Sequence, residues 1–155
     1  MDEESEGEPR QVAERNARRK AAAVVGDLVL GADTVVALDG AILGKPRDQE
    51  QAREFVGRLN GRTHEVVGGI ALAAGDGRVV AGAVEVTTVT FRDVGAATLD
   101  WYIGTGEWEG RAGGYAIQGA GAALVAAIEG DYLNVVGLPL ARLLDLRPDL
   151  LPTAR

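Results

Sequence analysis

The chain has 155 residues, 46% of them hydrophobic, enough for one domain over 1–155 with a sizeable core. Its formal net charge of -7 argues against non-specific binding to nucleic acid, whose backbone is anionic, but leaves room for a small phosphorylated ligand held by local cations. With no cysteine and the single histidine His64, disulfides, thiolate chemistry and a histidine-rich metal site are excluded. Any metal would have oxygen ligands, which favours magnesium or manganese.

Met1 to Glu8 is acidic and reads as a mobile tail, the reverse of a secretory leader. No apolar run approaches the ~20 residues that span a bilayer, so a soluble, cytoplasmic protein without a membrane partner is expected. Pro9 to Val25 is predicted as a helix with Val12, Ala13, Ala17 and Val24 on its apolar face. Its basic cluster, Arg15, Arg18, Arg19 and Lys20, reads as a solvated face or as a source of a cation for a phosphate.

Leu28 to Leu38 is apolar and β-branched, which predicts a buried strand, interrupted by the carboxylate of Asp33. A buried acid is costly unless it is paired, hydrated or bound to a metal. Asp39-Gly40 signals a hairpin with a short return strand, Ala41 to Leu43. Lys45 follows between Gly44 and Pro46, in a stiff turn that presents an ammonium group. Asp33 and Lys45 suggest a carboxylate and a cation facing one anionic substrate; the bland alternative is a strand with an acidic turn and a solvated lysine.

A helix is predicted from an Asp48 N-cap, with Gln51 completing a capping box, Ala52, Phe55, Val56 and Leu59 as its apolar stripe, and Gly61 as its stop. Thr63 to Ala74 and Arg78 to Phe91 read as two long strands joined at Gly75-Asp76-Gly77, with His64 a hydrogen-bonded or edge residue rather than a base. Ala96 to Ile103 reads as a short helix whose aromatics, Trp101 and Tyr102, belong to the core. The glycine-dense stretch from Gly104 to Gly114 reads as a flexible, functional loop. Gly119-Ala120-Gly121 superficially suggests a dinucleotide loop, but no third glycine opens a helix and Ala122 to Ile128 looks like strand. A last helix starts at Gly137-Leu138-Pro139 and ends before Pro148. The class is α/β or α+β with a mixed sheet.

Five stretches, GADTVV (31–36), LGKP (43–46), LNGRTHEV (59–66), AGGYAIQG (112–119) and GDYLNVVGLPL (130–140), together resemble the Maf family of nucleoside triphosphate pyrophosphatases in order and spacing. The resemblance implies an elongated α/β fold, inosine triphosphatase-like and two-lobed, with a mixed sheet flanked by helices. It implies hydrolysis of a nucleoside triphosphate to the monophosphate and pyrophosphate with a divalent metal cation, magnesium or manganese. Thr34 after Asp33, and Gln118-Gly119, are similar to the branch acting on dTTP and UTP. A homodimer is a further implication.

Carried over position by position, the resemblance implies that Asp33 is the general base or a metal-linked carboxylate, and that Lys20 and Lys45 bind the phosphates. Glu3 or Glu4 resembles a family glutamate near the metal, and Thr34 and Gln118 would select the base. Arg111 stands where the family usually has lysine, keeping the phosphate-binding charge with a different geometry. An Asp33 flanked by lysines is expected to be held ionised by their charge, with a lowered pKa. The family pattern opens with Leu-Ala-Ser-x-Ser-Pro-Arg-Arg, which this sequence does not contain. The expectation is either a start lying upstream of the one given, or a catalytically weak relative regulating cell division or septum formation.

Overall fold

The computed structural model describes residue 3 and residues 6–152, and rests on a five-stranded sheet in the order β2-β1-β3-β4-β5. The strands are β1 (Leu28–Leu38), β2 (Ala41–Leu43), β3 (Thr63–Ala74), β4 (Val79–Phe91) and β5 (Val125–Glu129). The α/β class with helices flanking a sheet is as expected. Every ladder among the described residues is antiparallel, where the sequence suggested a mixed sheet. Tight turns are the reason for β1–β2 and β3–β4, because connections of only two and four residues can only return the chain antiparallel. At the first of them Asp39 and Gly40 have φ of 52° and 81°, as such a turn requires.

One face of the sheet is covered by α1 (Pro9–Ala22). Its buried alanines, Ala13, Ala17 and Ala21, recur every fourth residue and so share one side of the helix. Opposite them lie Gly31 of β1 and Gly69 of β3. A Cβ at Gly31 would come within 2.1 Å of the Ala17 carbonyl oxygen, and one at Gly69 within 2.2 Å of that of Ala13. The helix backbone therefore rests directly on the strands. α1 stops at Ala22, three residues before the expected Val25, and Val24 is exposed rather than on the buried face. Val25, beyond the helix end, is 94% exposed.

The opposite face carries the larger core, built from Val36, Leu43, Val66, Val89 and Phe91 of the sheet and closed by α2 (Gln49–Leu59) and α3 (Ala96–Gly104). The Asp48 carboxylate accepts from the Gln51 N–H, as expected of the N-cap, while the Gln51 side chain accepts from Arg47 rather than closing the box on Asp48. On α3, Leu99, Tyr102 and Ile103 point inward. Trp101, expected in the core, lies between them in sequence and so on the outer side, 51% exposed. The apolar run from Ala122 starts inside a 3-10 turn (Ala120–Leu124) and becomes strand only at Val125. A short α4 (Tyr132–Val136), unanticipated, precedes α5 (Leu140–Leu146). No helix among the described residues is long and apolar enough to cross a membrane.

Candidate active site

β2 pairs only with Val36 to Leu38, so among the described residues the stretch of β1 before Val36 has no neighbour on that side. A cleft of about 500 Å³ opens against this free edge. Successive strand residues point to opposite faces, yet Asp33 and Thr34 both reach the cleft because it wraps around the edge between them.

Asp33 is 7% exposed and faces α1. Its Oδ2 accepts from Asn16 Nδ2 and its Oδ1 from Lys20 Nζ, each at 3.0 Å. Asn16 and Lys20 are four apart on α1 and therefore neighbours on one side of it. Lys20 also donates to the Ala32 carbonyl at 3.2 Å and to Glu3 Oε1 at 2.6 Å. Lys45, from the turn after β2, donates to the same Glu3 oxygen at 3.2 Å. Two carboxylates and two ammonium groups thus alternate along one wall.

Burial and the neighbouring opposite charges pull each of these groups in opposite directions. Burial pushes the Glu3 carboxyl up, but the ammonium groups of Lys20 and Lys45 more than offset it, so its pKa ends below the ordinary value. Burial pulls Lys20 down, and Glu3 and Asp33 outweigh it, so the ammonium is held charged. Asp33 departs from expectation. Burial raises its pKa, Asn16 and Lys20 only partly counter it, and the Glu3 charge adds to the rise. The flanking lysine is shared with a second carboxylate, and the loss of hydration dominates.

The facing wall is the segment from Glu107 to Gly119, which brings Arg111, Tyr115 and Gln118 to the cleft. It is tied down rather than loose. The Gly113 N–H donates to the Gly44 carbonyl at 3.1 Å, which couples the Arg111 turn to the Lys45 turn. The Tyr102 hydroxyl donates to the Gly114 carbonyl at 2.9 Å, and the Tyr115 hydroxyl lies 2.7 Å from His64 Nε2. His64 is buried and hydrogen-bonded, away from the cleft lining. The end wall is Val135 to Gly137, held by the buried Asn134, whose Nδ2 donates to the Val66 carbonyl at 3.1 Å.

The structure therefore gathers Asp33, Lys20, Lys45, Glu3, Thr34, Arg111 and Gln118 into one cleft. Glu4 lies outside the described residues. Sequence reasoning missed Asn16, Glu107 and Tyr115 as cleft-building residues. Asn16 had a signal: it is a polar residue at the apolar spacing, four after Val12 and three after Ala13. For a metal, Glu3 Oε1 and Asp33 Oδ1 converge on one point, that of Lys20 Nζ. Two hard carboxylate oxygens suit magnesium or manganese, which use few protein ligands and take the rest from water and phosphate. No cluster of three or more potential metal-binding side chains occurs among the described residues, so an all-protein cage does not fit; Glu3 and Asp33 are the oxygen donors that could hold a cation, which would displace the Lys20 ammonium from between them.

Residues 1–148 match the family described as Maf-like protein. The chain belongs to the Maf family. It is 52% identical over 120 residues to the dTTP/UTP pyrophosphatase of Pyrococcus furiosus, a match covering 77% of this chain and 62% of that protein. It is 51% identical over 138 residues to the dTTP/UTP pyrophosphatase of Symbiobacterium thermophilum, covering 86% and 70%. A third relative so named, from Thermus thermophilus, is 46% identical over 138 residues, covering 89% of this chain and 73% of its own. The matched stretch thus spans between about three fifths and three quarters of these Maf relatives.

Proposed function

We propose that this Maf-family chain is a nucleoside triphosphate pyrophosphatase acting on dTTP and UTP. The single observation that carries the reading is the convergence of Asp33, Lys20, Lys45, Arg111, Thr34 and Gln118 on one cleft, in a chain about half identical to relatives of that name. Water attacks the α-phosphorus, the bond to the oxygen bridging the α- and β-phosphates breaks, and pyrophosphate leaves. The Asp33 carboxylate takes the proton of the attacking water. Its burial suits it to that role, because a raised pKa makes a carboxylate a stronger base. Lys20, Lys45 and Arg111 neutralise and orient the triphosphate, since charge aimed at the transferring group in a partly desolvated cleft lowers the barrier.

A divalent cation held by Glu3 and Asp33 would add charge neutralisation at the phosphates. Thr34 and Gln118 select the base. A carboxamide offers a donor and an acceptor together, which matches the edge of uracil or thymine. The same reading carries one domain over 1–155, a homodimer and a cytoplasmic location.

The test is pyrophosphate release from dTTP, UTP, CTP and GTP with magnesium or manganese. Turnover of dTTP and UTP well above that of GTP is expected. A folded chain that turns over none of the four would overturn the enzyme reading in favour of a regulatory protein.

A further inference from the structure

Glu107 has no part in the phosphate chemistry above, yet it lies in the cleft opposite Asp33 and Lys45. A bare carboxylate there would repel a triphosphate. Its charge is instead turned onto the backbone. Oε2 accepts from the Ala120 N–H at 2.7 Å and Oε1 from the Gly121 N–H at 2.9 Å. These two groups open the 3-10 turn Ala120–Leu124, whose N-cap residue, Gly119, supplies no side-chain cap of its own. Glu107 is that missing cap, delivered from thirteen residues upstream. The fit is close. A Cβ on Gly119 would lie 2.1 Å from Glu107 Oε2, so only glycine lets the turn close over the carboxylate.

Gln118 directly precedes this turn and is itself exposed to the cleft. No strand ladder includes it among the described residues. Its backbone is held by the turn in which the Gly119 N–H donates to the Ala116 carbonyl at 3.3 Å, by Ile117 in the core on one side and by the Glu107-bound turn on the other.

We infer that Glu107 is a positioning residue for base selection: it holds the Gly119–Gly121 turn so that the Gln118 carboxamide faces the base of the substrate. The inference rests on the proposed role of Gln118 at the base. It predicts that loss of Glu107 alters the choice between nucleotides more than it alters phosphate chemistry. Two charge-assisted hydrogen bonds anchor one short turn, so removing one acceptor loosens the segment without uncovering the core.

The experiment compares kcat/KM for UTP and GTP in wild type, Glu107→Gln, Glu107→Ala, Gln118→Ala and the Glu107→Ala/Gln118→Ala double variant. Amide-proton exchange at Ala120 and Gly121 is followed in Glu107→Gln. The expected result is a UTP-to-GTP ratio lowered about tenfold in Glu107→Ala and Gln118→Ala, by less in Glu107→Gln, and no lower in the double variant than in Gln118→Ala. The KM for UTP rises more than kcat falls, and both amides exchange faster.

If Gln118→Ala lowers the ratio while both Glu107 variants keep it, the Glu107 inference is overturned and the role of Gln118 stands. A ratio unchanged in Gln118→Ala overturns the base-contact role, and with it what Glu107 would position. Additive losses in the double variant mean that Glu107 acts on the substrate directly, which also overturns the inference. Should Glu107→Ala fail to fold, Glu107→Gln and the amide exchange decide alone.

Discussion

The Ala17 carbonyl of α1 lies where a Cβ on Gly31 of β1 would have to be, 2.1 Å from that position. This backbone-on-backbone contact sets how near α1 comes to the sheet. Asn16 and Lys20 flank Ala17 on the helix, and Asp33 follows Gly31 by two on the same face of the strand, so the same contact brings all three together. Gly31→Ala must push the helix outward. A loss of about 1–3 kcal/mol is expected, typical of an overpacked core, with a melting temperature lower by ~3 °C or more. Turnover should fall further than the fraction unfolded explains. A melting temperature unchanged by the substitution would show that the contact relaxes freely.

Asp33→Asn removes a charge at nearly constant volume and keeps a partner for Asn16. Turnover of dTTP is expected to fall by about 10²–10⁴, the range for loss of a general base, with the circular dichroism spectrum unchanged. Wild-type turnover in the folded variant would remove Asp33 from the chemistry.

Gln118→Glu replaces a group that both donates and accepts with one that only accepts. We expect the UTP-to-GTP ratio of kcat/KM to fall about tenfold while stability, at an exposed position, changes by less than about 0.5 kcal/mol. Equal ratios in the variant and the wild type would place base selection elsewhere.

His64 makes stability depend on pH. Burial lowers its pKa from 6.5 to about 4. The folded state therefore keeps the ring neutral in a range where the unfolded chain takes up a proton. The stabilisation is complete above pH 6.5 and is lost as pH falls toward about 4, amounting to about 3 kcal/mol. Urea unfolding at pH 7, 5.5 and 4 should show this slope, and His64→Gln, which retains a partner for the Tyr115 hydroxyl, should show a shallower one. Parallel slopes would mean that the ring is protonated or hydrated in the folded protein.

The local features of the chain are legible in the amino-acid sequence itself. The Asp39-Gly40 and Gly75-Asp76-Gly77 turns, the alternation along β4, the Asp48 cap and the stop before Pro148 depend on a few neighbouring residues. Steric preference and short-range hydrogen bonding decide such features. Asp33 and Lys45 suggested one anionic-substrate site by their residue types and places in strand and turn, whereas Thr34, Arg111 and Gln118 were joined to it only through the resemblance to the Maf family.

Other features depended on distant partners. Val24 and Trp101 have apolar side chains suited to a core, yet face solvent, because which side of a helix is covered depends on what packs against it. The free edge of β1 beside Asp33 exists because β2 is only three residues long and pairs beyond it. The ionisation of Asp33 could not be read from neighbouring lysines. It is a balance of burial, a shared ammonium and a second carboxylate, contributed by residues 3, 16 and 20 together. The chain encodes its turns, periodicities and motif residues within short windows. The approach of α1 over Gly31, the Glu107 cap and the charge state of the cleft arise only when segments far apart in sequence exclude water from one another, because desolvation and close packing are properties of the assembled surface.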